Sequence, residues 1–523
     1  MKRALWLLLL LAVWQGPATA GAQSPPVSPT PSVNASALNA PAALVFADSI
    51  QQYETDPLTT SVVRVYVSHQ PFDVISPWRK KGVEINQISG TVVPGGAILV
   101  TADSLVDATY VEMSKAGESA RYELVTTFVD PEVNLALLEP KAPLALPHLT
   151  PLELSGMLPF SAACDAVGWQ AGQLYRTHAR VVDIGMRHAP TSAYWVATYR
   201  LDASDMPHAS SPLVRHGRLA GLVDETVDHA AYAIPATIIR HFLHDSPDTK
   251  YRGFAAIGLT TEPLVSPETR SLLKAPTSTG GVRVVKVNDQ GPCANLVRTN
   301  DVLLKVEGLN LDDHGRYRHP VWGRVSYQYL LNERRGGDKI RLTVLRDGKP
   351  LTFTVTLSRF HSQRALERPP LRRPGARPYL IFGGLVFQEL DRTYLESWGR
   401  DWQDEAPVAL VMAARRTAEK SAADSGVIVL TRVLADDFNQ GYENITNQIV
   451  DQVNGRRIHT LEDLEAALSQ APVKRAGKEY AVISLAYDQG LIVLRSDGLG
   501  PVHRRIAAKY AIDASEAFFP AVQ

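Results

Sequence analysis

Cysteine is scarce in this chain of 523 residues, which contains only Cys164 and Cys293. A single pair excludes the disulfide-dense scaffold of small secreted domains. The two residues also fall in segments that we assign to different domains, so we expect no bridge between them. Each is expected to be a small buried apolar side chain, which leaves packed cores to stabilise the fold.

An excess of either charge is also missing, because 54 basic residues balance 54 acidic ones. Proteins that bind nucleic acid through their overall charge carry a basic surplus, so we expect no nucleic-acid partner. The sequence contains neither Cys-x-x-Cys nor His-Glu-x-x-His, and its histidines do not cluster with carboxylates at ligand spacing. We therefore expect no metal site and no cofactor.

Long apolar runs are absent except at residues 4–14, ALWLLLLLAVW. A basic pair precedes this run, and Gly16-Pro17 and the small-residue triplet Ala18-Thr19-Ala20 follow it. This arrangement predicts a signal peptide over 1–20 and no membrane span in the mature chain, with an uncleaved N-terminal anchor as the alternative. Residues 21–58, rich in Pro, Ser and Ala, are expected to form a flexible leader.

Residues 59–246 consist of short β-branched runs separated by turn signals, such as SVVRVYVS (61–68) and LAGLVDE (219–225). Strands at this spacing, with no helical periodicity between them, indicate an all-β barrel or sandwich. The segment closes at 232–245, where apolar residues at 238, 239, 242 and 243 predict a helix after Pro235.

Two similar units follow, at 253–360 and 379–510. The first ends in alternating strands around Asp347-Gly348, a pair typical of a two-residue hairpin turn. The second contains a predicted helix at 460–470 that begins with a capping box from Thr460 to Asp463. Between the units, residues 361–378 are basic and proline-rich. We interpret them as a linker, with a partner-binding patch as the alternative.

Three motifs carry a resemblance to a known family: ISGTVVPGGAILVT (88–101), VDPEVNLALLEP (129–140) and YAIPATIIRHFL (232–243). In this order they resemble the HtrA/Deg family, and the similarity extends over residues 60–500. The second half is most similar to the plant-type Deg branch. The resemblance implies a mostly β fold with some α: a chymotrypsin-like double β-barrel followed by two PDZ domains.

The family's catalytic triad falls on other residue types in this sequence. Its histidine, aspartate and serine correspond to Ser104, Asn134 and Ala209. A serine hydroxyl cannot act as a general base near neutral pH, and a triad also needs a carboxylate to orient its imidazole. In the segment that corresponds to the family's oxyanion loop, this sequence has Pro207 in place of a glycine, so one N–H donor is lost. We expect a protease fold without catalytic activity.

A displaced active site is the alternative interpretation. Ser210 or Ser211 would then be the nucleophile, because an alignment by eye can be off by one residue. Either serine would still need a base. His69, His178 and His188 are candidates in this domain, but none stands in the family's sequence context. His208 is only two residues from Ser210, and neighbours in a loop rarely hold a productive nucleophile–base geometry.

Each PDZ unit contains a glycine loop that could bind a peptide carboxylate. PDZ domains bind a partner's C-terminus by strand addition, and backbone N–H groups of a small-residue loop hold the carboxylate. The family places this loop at the first strand. The candidates here are Ile257-Gly258-Leu259 in the first unit and Gly383-Gly384-Leu385 in the second.

The resulting hypothesis is an exported pseudoprotease that binds unfolded or C-terminal peptide segments, as a chaperone or as a regulator of an active relative. The alternatives are an active serine endopeptidase and a scaffold whose PDZ units bind subunits. The resemblance implies a homo-oligomer. The N-terminus and the family habit favour the periplasm, with secretion as the alternative.

Overall fold

The computed structural model describes 56–142, 149–170, 172–189, 192, 194–227, 229–244, 251–359, 378–399, 401–417, 426–470, 473–488, 490–513 and 518–519. The predicted signal peptide, most of the predicted leader and all but one residue of the predicted linker lie outside these ranges. Among the described residues, no helix combines the length and the apolar character needed to cross a bilayer.

The first closed barrel has the strand order β1-β2-β3-β6-β5-β4. Alternate valines of β1 point inward, as the period of a β-strand requires. Gly90 lies where a Cβ atom would come within 2.5 Å of Ile98 Cγ2, so the strands approach closely there. The strands are β1 (Val62–His69), β2 (Glu84–Val92), β3 (Ile98–Thr101), β4 (Ala108–Ser114), β5 (Tyr122–Asp130) and β6 (Leu135–Pro140).

The second closed barrel has the order β10-β11-β12-β9-β8-β7 and leads into helix α1 (Ala236–His244). The helix buries Ile238, Ile239 and Phe242, as the apolar spacing predicts. The strands are β7 (Ala163–Gln170), β8 (Gln173–His188), β9 (Trp195–Ala203), β10 (Pro212–Arg215), β11 (Arg218–Val227) and β12 (Ala230–Pro235).

The third unit contains a sheet ordered β14-β15-β16-β20-β21, so that β14 is its edge strand. Its short helices are α2 (Pro267–Leu272) and α3 (Gln328–Asn332). The predicted turn at Asp347-Gly348 joins β20 to β21 with both residues at positive φ. The strands are β13 (Ala255–Ala256), β14 (Leu259–Pro263), β15 (Val282–Val287), β16 (Val302–Val306), β17 (Leu309–Asn310), β18 (Arg316–His319), β19 (Gly323–Ser326), β20 (Lys339–Arg346), β21 (Lys349–Thr356) and β22 (Ser358–Arg359).

The fourth unit has a sheet ordered β23-β24-β25-β26-β29-β28, in which β27 pairs with β26 and β30 with β29. The strands are β23 (Tyr379–Phe382), β24 (Leu385–Glu389), β25 (Ile428–Val433), β26 (Gln448–Val453), β27 (Arg456–Arg457), β28 (Val473–Arg475), β29 (Lys478–Leu485) and β30 (Leu491–Arg495). The helices are α4 (Arg392–Leu395), α5 (Trp402–Glu405), α6 (Val408–Thr417), α7 (Leu461–Gln470) and α8 (Leu499–Tyr510).

Two local predictions in these units are confirmed. Thr460 caps α7, since its Oγ1 accepts from Asp463 N at 3.1 Å while Asp463 Oδ2 accepts from Thr460 N at 3.1 Å. Cys164 and Cys293 are both free and buried. Burial raises the thiol pKa of Cys164 to about 11 and that of Cys293 to about 12, so both are inert apolar side chains at neutral pH.

The third unit packs on the second barrel through a buried hydrogen-bond cluster around Asn332, the last residue of α3. Asn332 Oδ1 accepts from Ala197 N at 2.8 Å, and its Nδ2 donates to Trp195 O at 2.9 Å and to the Tyr194 hydroxyl at 3.0 Å. The Tyr194 hydroxyl in turn donates to Ala255 O at 3.1 Å. This amide therefore fixes α3 and β13 to β9.

Candidate active site and peptide groove

The residue expected at the histidine position, Ser104, lies on a short 3₁₀ turn formed by Asp103–Leu105. The turn begins directly after β3, whose four residues are all buried. Ala102 N donates to Asn134 O at 3.1 Å, which joins the turn to the start of β6. The barrel therefore brings positions 104 and 134 together, although they are 30 residues apart.

A chain of three hydroxyl groups lies at the position of the expected triad. Thr101 Oγ1 is hydrogen-bonded to Ser104 Oγ at 2.7 Å and to Ser210 Oγ at 2.9 Å. Ser210 Oγ also accepts from Thr101 N at 2.9 Å. Within the described residues, no imidazole forms a hydrogen bond with any of these hydroxyls. The cluster can exchange hydrogen bonds, but it contains no group that takes a proton at neutral pH.

Asn134, at the expected aspartate position, bridges two carboxylates. Its Oδ1 accepts from Asp103 N at 2.8 Å. Its Nδ2 donates to Asp224 Oδ1 at 2.7 Å and to Asp103 Oδ1 at 3.1 Å. The side chain is fully buried, and all its polar atoms are hydrogen-bonded. An amide suits this place because only a group with donors can satisfy both carboxylates.

Asp224 is a site residue that the sequence reasoning missed. It lies on β11, is 4% exposed and is 90 residues away from its partner Asn134. Burial raises the carboxyl pKa of Asp224 to about 7; the charge of Asp103 adds to the shift, and the hydrogen bond from Asn134 opposes it. The acidic residue that directly follows the apolar run LAGLV (219–223) was the available signal, since a buried strand seldom contains a carboxylate.

The loop before β10 contains Ala209, at the position of the family's nucleophile, and the two fallback serines. Ser210 is fully buried, with φ of +64°, a region that glycine occupies more readily. Its N–H donates to Val223 O at 2.8 Å. Ser211 is also fully buried, and within the described residues its Oγ forms no hydrogen bond. Neither hydroxyl is accessible to a substrate in this conformation.

The histidines weighed as alternative bases are placed elsewhere by the fold. His69 Nδ1 is bonded to Val106 O at 2.8 Å, and His178 Nδ1 to Asp165 Oδ1 at 2.6 Å. His188 packs on Trp195 with ring centroids 3.9 Å apart. His208 presents its ring to the side chain of Tyr175, with centroids 6.0 Å apart.

The first glycine loop lies at the start of the edge strand β14. Gly258 has φ of +70°, and a Cβ atom there would be 3.1 Å from Gly291 Cα. Gly258 O accepts from Asn288 N at 2.8 Å, while Ile257 is buried beneath the loop. The conformation therefore requires glycine. The hydrogen bond from Asn288 reaches the loop from the side of β15, opposite the free edge of β14.

We refer to the strip between the free edge of β14 and α3 as the groove. One edge of β14 pairs with β15, and the other has no strand partner among the described residues. The Tyr327 hydroxyl, just before α3, is hydrogen-bonded to Thr261 Oγ1 at 3.1 Å and so links the two sides. Leu259 and Leu330 are partly buried against the shared core. An unpaired strand edge with apolar side chains beside it is what strand addition requires.

The second glycine loop is closed. Gly383 and Gly384 are buried, Gly383 N donates to His503 Nε2 at 3.0 Å, and Gly383 O accepts from Asn439 Nδ2 at 2.9 Å. Leu385 is fully buried and begins β24, whose outer edge is paired with β23. Phe519 N donates to Ile381 O at 2.8 Å on the far side of β23. The N–H and the strand edge that a peptide would use are therefore occupied from within the chain.

In the part of the chain that the structure describes, no group of three or more His, Cys, Asp or Glu side chains is arranged to hold a metal ion.

The comparisons with known proteins agree with this architecture. The PDZ domain family matches twice, at residues 255–357 and 370–517. The chain is 23% identical over 445 residues to "Putative protease Do-like 11, mitochondrial" of Arabidopsis thaliana, covering 82% of this chain and 71% of that protein. It is 25% identical over 446 residues to "Protease Do-like 2, chloroplastic" of the same plant, covering 80% and 71%.

A solved structure is also similar. "HtrA-type protease AlgW with decapeptide" is 18% identical, with a TM-score of 0.43, over 60% of this chain and 98% of that one. The PDZ matches and the Do-like relatives confirm the resemblance found in the sequence. This chain belongs to the HtrA/Deg family, with a trypsin-like protease domain followed by two PDZ domains.

Proposed function

We propose that the protein is a pseudoprotease that binds unfolded or C-terminal polypeptide segments without cleaving them. The hydrogen-bonded hydroxyls of Ser104, Thr101 and Ser210, which occupy the expected triad position without an imidazole, are the observation that carries the proposal. A serine becomes nucleophilic only when a base takes its proton.

Two further features support the loss of catalysis. With Asn134 in place of aspartate, even a restored imidazole would lack its orienting carboxylate. In trypsin that exchange alone lowers kcat about 10⁴-fold. Pro207, two residues before Ala209, has no N–H to donate to a developing oxyanion, so only one of the two backbone donors remains.

The binding half of the proposal is assigned to the first PDZ domain. Its edge strand β14 has no strand partner on one side in the described part of the chain, and the Ile257-Gly258-Leu259 loop lies at the end where a peptide's carboxylate would be placed. A segment added antiparallel to β14 would gain backbone hydrogen bonds that do not depend on its sequence. This suits clients that share only an extended conformation.

The second PDZ domain is assigned a structural role within the chain. The loop Gly383-Gly384-Leu385 joins β23 to β24 and is hydrogen-bonded to His503 of α8, so it does not receive a peptide carboxylate. The 72–78 segment of the first barrel packs on the same sheet, where Gln388 Nε2 donates to Val74 O at 2.9 Å. The domain therefore stabilises the protease-like barrel.

Location and assembly complete the proposal. The N-terminal segment 1–20 supports export, and the family analogy supports a periplasmic homo-oligomer, in which several PDZ grooves would give avidity for one client. The two Arabidopsis relatives described above are named mitochondrial and chloroplastic.

An active endopeptidase is the second candidate, because the Do-like relatives are named proteases. Its nucleophile would be Ser210 or Ser211. Both are fully buried, so this function requires a client to reorder the loop around Ala209 before any attack.

The test is capture of unfolded casein by the purified protein, with cleavage followed in the same tube. We expect casein to be retained intact. Gly258→Ala should weaken retention at least tenfold, because a methyl group strains the loop at φ of +70°. Gly308→Ala is the matched control, since it imposes the same backbone strain at φ of +79° with nothing within 4 Å.

Equal retention of casein by wild type and Gly258→Ala would show that the first PDZ groove does not bind the client. Cleavage that persists in the wild type and is lost in a Ser210→Ala/Ser211→Ala double variant would establish the endopeptidase instead.

A further inference from the structure

The first PDZ domain contains a basic cavity of about 630 Å³ beyond the end of β14. One wall is formed by α2 and the loop 277–280, and the other by the turn 310–313 and the β18–β19 hairpin. This volume is within the range of ligand-binding pockets.

Arg270 supplies the buried charge of this cavity. Its side chain lies on α2 and the residue is 8% exposed. Its Nη1 donates to Thr279 O at 2.8 Å and to Pro276 O at 3.4 Å, and no carboxylate lies within 4.0 Å of it in the described part of the chain. A buried guanidinium with only neutral partners is costly unless an anion completes its environment.

The other charged residues of the cavity also favour a bound anion. Arg316 Nε and Arg324 Nη1 both use Asp312 Oδ2, at 3.2 and 3.0 Å, so one carboxylate serves two arginines. Arg318 is exposed and forms no ion pair among the described residues. Four arginines against Asp312 and Asp313 leave a net charge of +2.

Hydroxyl donors complete the lining. Thr277 and Ser278 are exposed in the loop opposite the β18–β19 hairpin. Guanidinium groups bind carboxylates and phosphates through paired N–H donors, and hydroxyls add further hydrogen bonds. The lining therefore fits an oxyanion.

The position of the cavity identifies the source of that oxyanion. Leu264, directly after β14, donates its N–H to Asp313 O at 2.9 Å, so the cavity begins where the edge strand ends. A peptide paired antiparallel to β14, with its C-terminus at Gly258, would run toward Pro263. At about 3.4 Å per residue, side chains roughly five to seven residues before its C-terminus reach the cavity.

We propose that this cavity selects peptides with an acidic side chain about five to seven residues before the C-terminus. The inference rests on the proposed peptide binding along β14 and adds a sequence preference to it. Backbone pairing alone tolerates any sequence. The cavity would therefore make the groove prefer peptides that contain an acidic side chain at this distance from the C-terminus.

The experiment compares two fluorescent decapeptides with the same apolar last four residues. One has glutamate and the other glutamine at the three positions five to seven residues before the C-terminus. We expect the full-length protein to bind the glutamate peptide about tenfold more tightly at low salt, with a smaller ratio at high salt. Inorganic phosphate at 10 mM should reduce this preference without weakening the glutamine peptide.

The decisive variant is Arg318→Gln, because this arginine is exposed and its loss should not disturb the fold. It should lower the preference to about threefold, and Arg270→Gln should abolish it. Arg341→Gln, an exposed arginine on β20 outside the cavity, should retain the full ratio.

Equal affinity of both peptides for the wild type would overturn the cavity's role and leave the peptide-binding function standing. If neither peptide bound, the binding function would fail and this inference with it. A preference that survives both cavity variants would place the acid-selective contact elsewhere.

Discussion

Restoring the aspartate of the expected triad should destabilise the first barrel instead of preparing it for catalysis. In Asn134→Asp, a carboxylate would replace the amide that donates to Asp224 at 2.7 Å and to Asp103 at 3.1 Å. Both donated hydrogen bonds are lost, and the new carboxylate then lies beside the carboxylates of Asp103 and Asp224.

The magnitude follows from burial. Asn134 is fully buried and Asp224 is 4% exposed. Leaving a buried charged group without its hydrogen-bond donor costs about 3 kcal/mol or more, and the neighbouring like charges add to that cost. We expect that loss at pH 8. At pH 4 the cost should fall to about 1 kcal/mol, because a protonated carboxyl can donate one of the two hydrogen bonds.

Hydrogen exchange measured by mass spectrometry on peptides that cover 98–106 and 133–138 gives this local free energy. At pH 8, Asn134→Asp should speed exchange about 10²–10³-fold where the opening equilibrium sets the exchange rate. Asn86→Asp, an exposed residue of β2, is the matched control and should change little. The double variant Asn134→Asp/Asp224→Asn should recover about half the protection, because the donor and acceptor are exchanged. Unchanged protection in Asn134→Asp would refute the bridging role of this amide.

Two other predictions concern buried polar groups. Asp224→Asn should stabilise the protein above pH 8 and leave it unchanged at pH 4, as measured by urea unfolding. The folded-state pKa of about 7 lies above the usual 3.8, so stability is lost as the pH rises from 3.8 to 7, by about 4 kcal/mol at most. Asn332→Ala should cost about 2–5 kcal/mol and loosen the first PDZ domain, because Ala197 N and Trp195 O lose their buried partner. Limited proteolysis should then separate this domain from the barrel, whereas Gln328→Ala on the same helix should not allow it; resistance of Asn332→Ala would contradict the prediction.

Local chemistry made much of the fold predictable. The turn at Asp347-Gly348 and the cap at Thr460 depend on neighbouring residues, and both occur as expected. The two barrels and the β-rich PDZ units followed from strand spacing and from the resemblance to the family. These features need no knowledge of contacts between distant residues.

Long-range contacts account for what the sequence did not reveal. Asp224 meets Asn134 across 90 residues, and Asn332 meets Ala197 across 135. The closure of Gly383-Gly384 depends on His503, 120 residues further along the chain. Arg270 lines its cavity only because the loop 277–280 and the hairpin at 316–326 fold around it. None of these pairs produces a periodic pattern, so only the tertiary structure brings them to notice.

The absence of an activated serine is the central claim, and reaction with a fluorophosphonate tests it most directly. This reagent phosphonylates a serine only when a neighbouring base activates it. After incubation of the full-length protein with and without unfolded casein, peptide mass spectrometry should find no adduct on Ser104, Ser210 or Ser211. A stoichiometric adduct on Ser210 or Ser211 that requires casein would mean that a client assembles a working site, and the pseudoprotease account would be wrong.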